Sequence, residues 1–219
     1  ELEEQELLAV FEMRKDTYIW HMDSIREAQQ TLVRALEDYE KKYPYRYGMK
    51  KAEIQTMYFQ KIKPNVFDRI VEFFVERGCI RRAEEFLCTP EFEVKKDGTY
   101  QKVAENFLNV FEKAGYDFVR YSEIDLKGVS RDMADDILNI LLTEGKVVRV
   151  TEEMYTLAEY MEQAKEKIKA HLADDPLITI AQVRDMFGTS RKSAKPILEY
   201  MDALKITKKM GAESERVAY

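Results

Sequence analysis

Residues 133–149 read MADDILNILLTEGKVVR, and two other stretches of the chain align with them without a gap: VFDRIVEFFVERGCIRR at 66–82 and SAKPILEYMDALKITKK at 193–209. An isoleucine holds the same place in all three: Ile70, Ile137 and Ile197. Eight residues later each stretch reaches a turn position, occupied by Gly78, Gly145 and Lys205. A short pair, mostly apolar, comes next: Cys79-Ile80, Val147-Val148 and Ile206-Thr207. Self-similarity at spacings of 67 and 60 residues indicates an array of small modules.

Each repeat predicts a helix followed by a β-hairpin. Ile137, Ile140 and Leu141 recur at helical spacing, and Gly145 is a typical residue for a left-handed cap. KVVRV, a polar TEE and MYTL then form the pattern of two strands and a turn. Upstream of each repeat lies a short helical stretch with a turn, such as YSEIDLKGVS, preceded by a long amphipathic helix. These long helices are expected at Ser24–Lys42, Tyr100–Ala114 and Leu157–Ala173. The resulting order of elements is that of a winged helix.

The predicted fold class is therefore mainly α with small β wings (α+β), a tandem array of winged-helix, or helix-turn-helix, domains. Residues 1–23 are predicted to be the wing of a first domain. The second module is placed at 24–97, the third at 98–156 and the fourth at 157–219. Modules of this size bury only a modest core, so we expect neighbouring modules to dock against each other.

Composition argues against several other classes of protein. The 219 residues contain no apolar run long enough for a membrane span and no signal peptide, which predicts a cytoplasmic chain without a membrane partner. Cys79 and Cys88 are expected on partner strands and reduced, with a disulfide as the alternative. His21 and His171 lie far from each other and from the cysteines, so no metal site is predicted. No G-x-x-x-x-G-K-[ST] loop occurs, and we predict no catalytic residue, no cofactor and no enzymatic activity for this chain.

Positive charge collects near the end of an otherwise acidic chain. The net charge is −6, and residues 1–157 carry 24 basic and 31 acidic side chains, whereas residues 176–219 carry eight basic and five acidic ones. Thr189 or Ser190 is a natural N-cap at the start of the last repeat. Pro196 is expected to bend this helix or to delay its start. A winged helix brings the helix start, the preceding helix and the wing to one edge, which suits a nucleic-acid backbone. The candidate binding residues on these three elements are Arg184, Ser190, Arg191, Lys192, Lys195, Lys208, Lys209 and Arg216.

The third module repeats the dipeptide Ser190-Arg191 as Ser130-Arg131, but Asp132, Asp135 and Asp136 follow it. These carboxylates would repel a phosphate backbone, so binding is expected in the fourth module alone. A DNA-binding regulator with tandem winged helices is the main alternative, but it requires a second basic recognition helix or a dimer. No dimerisation heptad is visible, so the chain is expected to be a monomer. A protein-docking scaffold would leave the basic edge unexplained, and a merely solvated basic face is the plainest alternative.

The stretch VRDMFGTSRKSAKPILEYMDALKITKKMG resembles the C-terminal module of the bacterial selenocysteine-specific elongation factor family (SelB). That family shows the pattern R-D-x-x-G-T-S-R-K-x-A-x-P-x-L-E-x-x-D-x-x-x-x-T-x-R-x-G. The pattern has fifteen defined positions, and this chain matches fourteen of them, with Lys209 standing where Arg is usual: Arg184, Asp185, Gly188, Thr189, Ser190, Arg191, Lys192, Ala194, Pro196, Leu198, Glu199, Asp202, Thr207 and Gly211. The ending after Gly211, AESERVAY, is longer than the usual G-D-x-R.

The resemblance implies a C-terminal arm of a translation elongation factor for selenocysteine incorporation. In the family a GTPase body, which holds GTP and Mg²⁺ and carries selenocysteinyl-tRNA, precedes four winged helices. The last winged helix grips an mRNA hairpin beside an in-frame UGA codon on the ribosome. The resemblance thus implies an mRNA hairpin as the partner of the fourth module, with the other modules as a spacer to a GTPase body that is absent here.

Overall fold

The computed structural model describes residues 7–12, 16–210 and 215–219, and it shows winged-helix domains in tandem. Gly211 of the quoted motif and residues 1–6 and 13–15 of the predicted first wing lie outside the described residues. The prediction of a mainly α array with small β wings is confirmed.

The opening stretch forms an antiparallel pair of strands, β1 (Leu8–Glu12) and β2 (Thr17–His21). Ala9 and Phe11 are buried in the core of the second module, and Trp20 packs against the same core. This is the arrangement expected of a wing that docks on the next module.

The second module follows β2 without an intervening residue. Its elements are α1 (Met22–Lys42), β3 (Met49–Lys50), α2 (Lys51–Tyr58), α3 (Pro64–Glu76), β4 (Arg81–Ala83) and β5 (Phe86–Cys88). Its sheet has the order β3-β5-β4, with β5 antiparallel to both neighbours. Pro64 stands in the first turn of α3, where its missing N–H costs no hydrogen bond.

The third module repeats this order with a sheet of order β6-β8-β7. The Asp97 side chain caps its first helix by accepting from the N–H groups of Thr99 and Tyr100. The elements are α4 (Gly98–Ala114), β6 (Val119–Arg120), a 3₁₀ turn (Tyr121–Glu123), α5 (Arg131–Thr143), β7 (Val147–Arg149) and β8 (Met154–Leu157).

The fourth module begins directly after β8. It comprises α6 (Ala158–Asp174), α7 (Ile180–Phe187), α8 (Arg191–Ala203), β9 (Thr207–Lys209) and β10 (Arg216–Ala218). In place of a third strand, Ile178 makes an isolated bridge with Arg216 through two backbone hydrogen bonds of 2.8 and 2.9 Å. A capping box between Thr179 and Gln182 starts α7, and Gly188 in the left-handed conformation ends it.

The turn position of the repeat has the same backbone conformation in all three modules. Gly78, Gly145 and Lys205 have φ values of 67°, 67° and 56°. In each, the next N–H donates to a carbonyl five residues back, as from Ile206 to Met201 at 3.0 Å. This is the Schellman arrangement, so the alignment of the three repeats is correct at the level of the backbone.

The chain divides into two compact units, residues 1–95 and 96–219. Within the second unit, the third and fourth modules share one apolar core. Phe118 of the third module is buried in the same cluster as Ile197 and Leu198 of the fourth, and Tyr116 packs against it. The expected docking between neighbouring modules is therefore confirmed for this pair.

Two local predictions were wrong in detail. The short helix expected within YSEIDLKGVS is only a 3₁₀ turn, because Lys127 and Gly128 have φ values of 50° and 82° that no right-handed helix can contain. Cys79 precedes β4 and is not on a strand; Cys88 lies opposite Arg81, and both cysteines are free. Burial raises the pKa of the Cys88 thiol.

Pro196 neither delays nor ends its helix. The helix α8 begins at Arg191 and continues through Pro196, which is buried. A proline here removes the hydrogen bond to the carbonyl of Lys192, so this carbonyl lacks its usual partner within the helix.

Candidate nucleic-acid interface

Arg191 and Lys192 carry available positive charge at the start of the last long helix of the fourth module. They open α8, both are exposed, and neither forms an ion pair with any carboxylate in the described part of the chain. Their charges are therefore free to interact with an anionic ligand. The structure agrees with the placement that the sequence predicted for them.

Two other predicted residues are exposed but partly neutralised. The guanidinium of Arg184 on α7 lies 2.7 Å from a carboxylate oxygen of its neighbour Asp185. The Lys195 ammonium lies 3.3 Å from Glu199, one helical turn away. Surface pairs of this kind are worth little in free energy, so either cation can exchange its carboxylate for a phosphate.

The wing contributes Lys208 and Lys209 on β9, both exposed and without an ion pair among the described residues. Lys209 lies opposite Arg216 in the strand ladder, yet the two side chains have opposite environments. The Arg216 side chain is only 5% exposed, and its Nε donates to Asp202 Oδ2 on α8 at 2.8 Å. The prediction that Arg216 belongs to the exposed binding edge is therefore corrected: Arg216 joins the wing to α8 inside the module.

The turn before α8 is held by a residue of the third module. The Thr189 hydroxyl oxygen lies 2.6 Å from Asp117 Oδ1 and 2.9 Å from the carbonyl oxygen of Tyr116. The N–H of Ser190 donates to the same carboxylate oxygen at 3.1 Å. These hydrogen bonds stabilise the ionised carboxylate and lower the pKa of Asp117, with Thr189 the larger contributor.

Ser190 is the N-cap of α8 by backbone conformation, but its side chain makes no capping hydrogen bond. In the third module, by contrast, the Ser130 hydroxyl accepts from the N–H of Met133 at 3.4 Å. The Ser190 side chain and its backbone N–H instead both interact with the Asp117 carboxylate, and both contacts lower the pKa of that carboxyl.

The corresponding face of the third module has a different character. The Arg131 guanidinium stands 5.2 Å above the Tyr121 ring, and Arg149 donates to the Tyr155 hydroxyl at 3.1 Å. A groove of about 370 Å³ between them is also lined by Asp135. Here both guanidinium groups rest on aromatic rings beside a carboxylate, so their charges are less available than that of Arg191.

Asp117 is the functional candidate that sequence reasoning missed. Local patterns cannot reveal it, because it precedes Thr189 by 72 residues and acts on another module. Among the described residues there is also no group of His, Cys, Asp and Glu that could hold a metal ion, and no helix long and apolar enough to cross a membrane.

Comparison with known families confirms the resemblance found in the sequence. Two family models, both described as "Elongation factor SelB, winged helix", match residues 33–87 and residues 170–213. The first match lies in the second module, and the second match contains α7, α8 and β9 of the fourth.

A curated relative, the selenocysteine-specific elongation factor of Desulfomicrobium baculatum, is 23% identical over 177 residues, which are 80% of this chain and 28% of the relative. The chain therefore spans less than a third of that protein. A crystal structure of the bacterial selenocysteine-specific elongation factor EF-Sec aligns with a TM-score of 0.54 and 17% identity, over 96% of this chain and 32% of the other. The mRNA-binding domain of SelB from E. coli, solved in complex with SECIS RNA, aligns with a TM-score of 0.47 and 18% identity, over 56% of this chain and 98% of the other.

Proposed function

We propose that this chain, whose winged-helix domains are those of the elongation factor SelB family, is the mRNA-binding arm of a selenocysteine-specific elongation factor. The fourth module binds an mRNA hairpin that directs insertion of selenocysteine at a UGA codon. Ribosome and selenocysteinyl-tRNA are partners of the whole factor rather than of this arm.

The observation that carries the proposal is the exposed pair Arg191 and Lys192 at the start of α8, which has no ion pair among the described residues, together with Lys208 and Lys209 on the wing. Cations on a helix start and on a wing are positioned to contact a nucleic-acid backbone from two elements. Arg184 and Lys195 add to this edge by exchanging their weak surface partners. Arg216 is not included, since its charge is compensated inside the module.

RNA suits this edge better than duplex DNA. An A-form helix has a deep, narrow major groove that a recognition helix cannot enter, so proteins bind the backbone and read bases displayed in loops and bulges. A single basic module can grip one hairpin, whereas a DNA regulator generally places two recognition helices on two half-sites. The acidic second and third modules then act as a spacer that does not attract other RNA.

GTP and Mg²⁺, which the family resemblance implies, have no fitting site in these residues. The sequence contains no G-x-x-x-x-G-K-[ST] loop to surround a triphosphate. We assign nucleotide binding to a GTPase body outside this chain, and the arm itself performs only recognition.

The test is a titration of the whole chain with three labelled ligands at matched salt: a selenocysteine-insertion hairpin, a hairpin of the same composition with scrambled loop and bulge, and a duplex DNA of equal length. We expect the first to bind at least tenfold more tightly than the other two, since base readout adds to backbone contacts. Preference for the duplex would overturn the proposal in favour of a DNA-binding regulator. Equal binding of all three ligands would reduce the edge to a non-specific polyanion surface and would also contradict it.

A further inference from the structure

The contact between Asp117 and the start of α8 links two modules at the residues next to the binding edge. Asp117 lies between α4 and β6 of the third module, while Thr189 and Ser190 directly precede Arg191. The donors are a hydroxyl and a backbone N–H, and both meet the same oxygen, Oδ1. Within its own module the Ser190 side chain makes no capping hydrogen bond to α8.

The neighbours of Asp117 fix its position relative to the fourth module. Phe118 is 8% exposed and lies in the core that the two modules share. The Tyr116 ring packs against Phe187, the last residue of α7, with the ring centroids 4.6 Å apart. Because the residues on both sides are anchored, the Asp117 carboxylate cannot follow the turn if α8 shifts; it holds the turn in one place.

The Thr189 hydroxyl has one proton and two acceptors within reach. The 2.6 Å distance to the carboxylate is shorter than the 2.9 Å distance to the Tyr116 carbonyl, as expected when the charged acceptor receives the proton. Thr189 is 9% exposed whereas Asp117 is exposed, so the donating hydroxyl is shielded from water although the carboxylate is not. A buried hydroxyl that donates to a carboxylate is a strong geometric restraint on the turn.

We propose that Asp117 is a positioning residue for RNA binding: by accepting from Thr189 and Ser190 it fixes the direction in which Arg191 and Lys192 project from α8. This inference rests on the proposed function of the fourth module. It assigns to the third module a part in recognition that does not require it to touch RNA. It also explains why an acidic side chain is tolerated beside a basic edge, where charge alone would disfavour it.

A purely repulsive role of Asp117 toward RNA predicts a different result from a positioning role. If Asp117 only repelled RNA, its removal would tighten binding. The test therefore measures the affinity of the full chain for the hairpin in Asp117→Ala, Asp117→Asn, Thr189→Val and Thr189→Ser. Asn keeps an acceptor oxygen without the charge, and Ser keeps the hydroxyl that Val removes. Circular dichroism and thermal unfolding check that each variant is folded.

We expect Asp117→Ala and Thr189→Val each to weaken binding by about tenfold, within the range of coupling between linked sites. The double variant Asp117→Ala with Thr189→Val should bind the hairpin no more weakly than the weaker-binding single variant, because both changes break the same contact. Thr189→Ser and Asp117→Asn should stay within about threefold of the wild type. The log–log salt slope of Asp117→Ala should fall by about 0.7, since a misdirected cation loses its phosphate.

Several results would overturn the inference: unchanged or tighter binding by Asp117→Ala, or a failure of Thr189→Ser to restore what Thr189→Val loses. The wild-type titration separates this outcome from failure of the proposed function. A wild-type chain that binds the hairpin while the Asp117 variants bind equally well contradicts the positioning role alone. A wild-type chain that does not bind contradicts both.

Discussion

The starts of α5 and α8 carry the same dipeptide, Ser130-Arg131 and Ser190-Arg191, in two different settings. In α5 the serine caps its own helix and the arginine lies against a tyrosine ring of its own module. In α8 the serine side chain does not cap its helix, a carboxylate from the neighbouring module holds the turn, and the arginine forms no ion pair within the described part of the chain. A motif of two residues therefore does not define a site; the site depends on which other groups satisfy its donors and charges.

The largest expected effect tests whether this difference decides binding. The double variant Arg191→Glu with Lys192→Glu should weaken hairpin binding roughly a thousandfold, about 4 kcal/mol, because two contacts become repulsive. The matched variant Arg131→Glu should change the affinity by less than about threefold. Salt-titrated binding provides the measurement and circular dichroism the folding control. A large loss in Arg131→Glu would show that both helix starts bind RNA.

The next effect distinguishes Arg216, which we expect to stabilise the fold, from Lys209, which we expect to bind RNA from the adjacent strand of the wing. Arg216→Ala should lower the free energy of unfolding by about 3 kcal/mol, because it leaves the Asp202 carboxylate without its ion-pair partner. Lys209→Ala, at the paired position, should change stability by no more than about 0.5 kcal/mol and weaken RNA binding instead. Urea unfolding followed by circular dichroism distinguishes the two, and equal destabilisation by both variants would refute the assignment.

A smaller effect concerns the turn that ends each repeat helix. Lys205→Gly should stabilise the chain by about 0.5–1 kcal/mol, because a lysine with φ of 56° is strained where glycine is not. Gly145→Ala should destabilise it by about 1 kcal/mol through backbone strain alone, since an added Cβ meets no atom within 4 Å. Thermal unfolding of both variants tests this; a destabilising Lys205→Gly would mean that the contact of Lys205 with the Tyr219 ring is worth more than the strain.

The smallest effect counts single contacts. Lys192→Ala should reduce the log–log salt slope of hairpin binding by about 0.7, one counterion's share for single-stranded RNA. Lys41, an exposed lysine in the last turn of α1 in the second module, provides a lysine control that should leave the slope unchanged. An equal change in both variants would indicate that the chain senses only its overall charge.

Much of the fold could be predicted, because each repeat contains the local sequence signals for its own helix, turn and hairpin. The periodicity around Ile137 and Gly145 is sufficient to place a helix and its end, and the left-handed turn at Lys205 follows from alignment even though lysine alone would not indicate it. The long helices and the hairpins lie within a few residues of their expected bounds.

The remaining features depend on contacts between distant parts of the chain. The burial of Arg216 could not be predicted, because it depends on which face of β10 meets Asp202 of α8. The same holds for Asp117, whose partners lie on the next module. The expected delay of the start of α8 at Pro196 was wrong, because local propensity weighs a lost hydrogen bond but not the burial that compensates for it.

The core that Phe118 shares with Ile197 affects the number of cooperative unfolding units in the chain. The sequence repeats indicate three winged helices. The third and fourth of the modules, however, cover each other's apolar face, so neither is expected to unfold while the other stays folded. Residues 96–219 should accordingly absorb heat in one cooperative transition, and a cut between Leu157 and Ala158 would divide a single unit of stability rather than release two. The boundaries of the sequence repeats therefore differ from the boundaries of the units that unfold cooperatively.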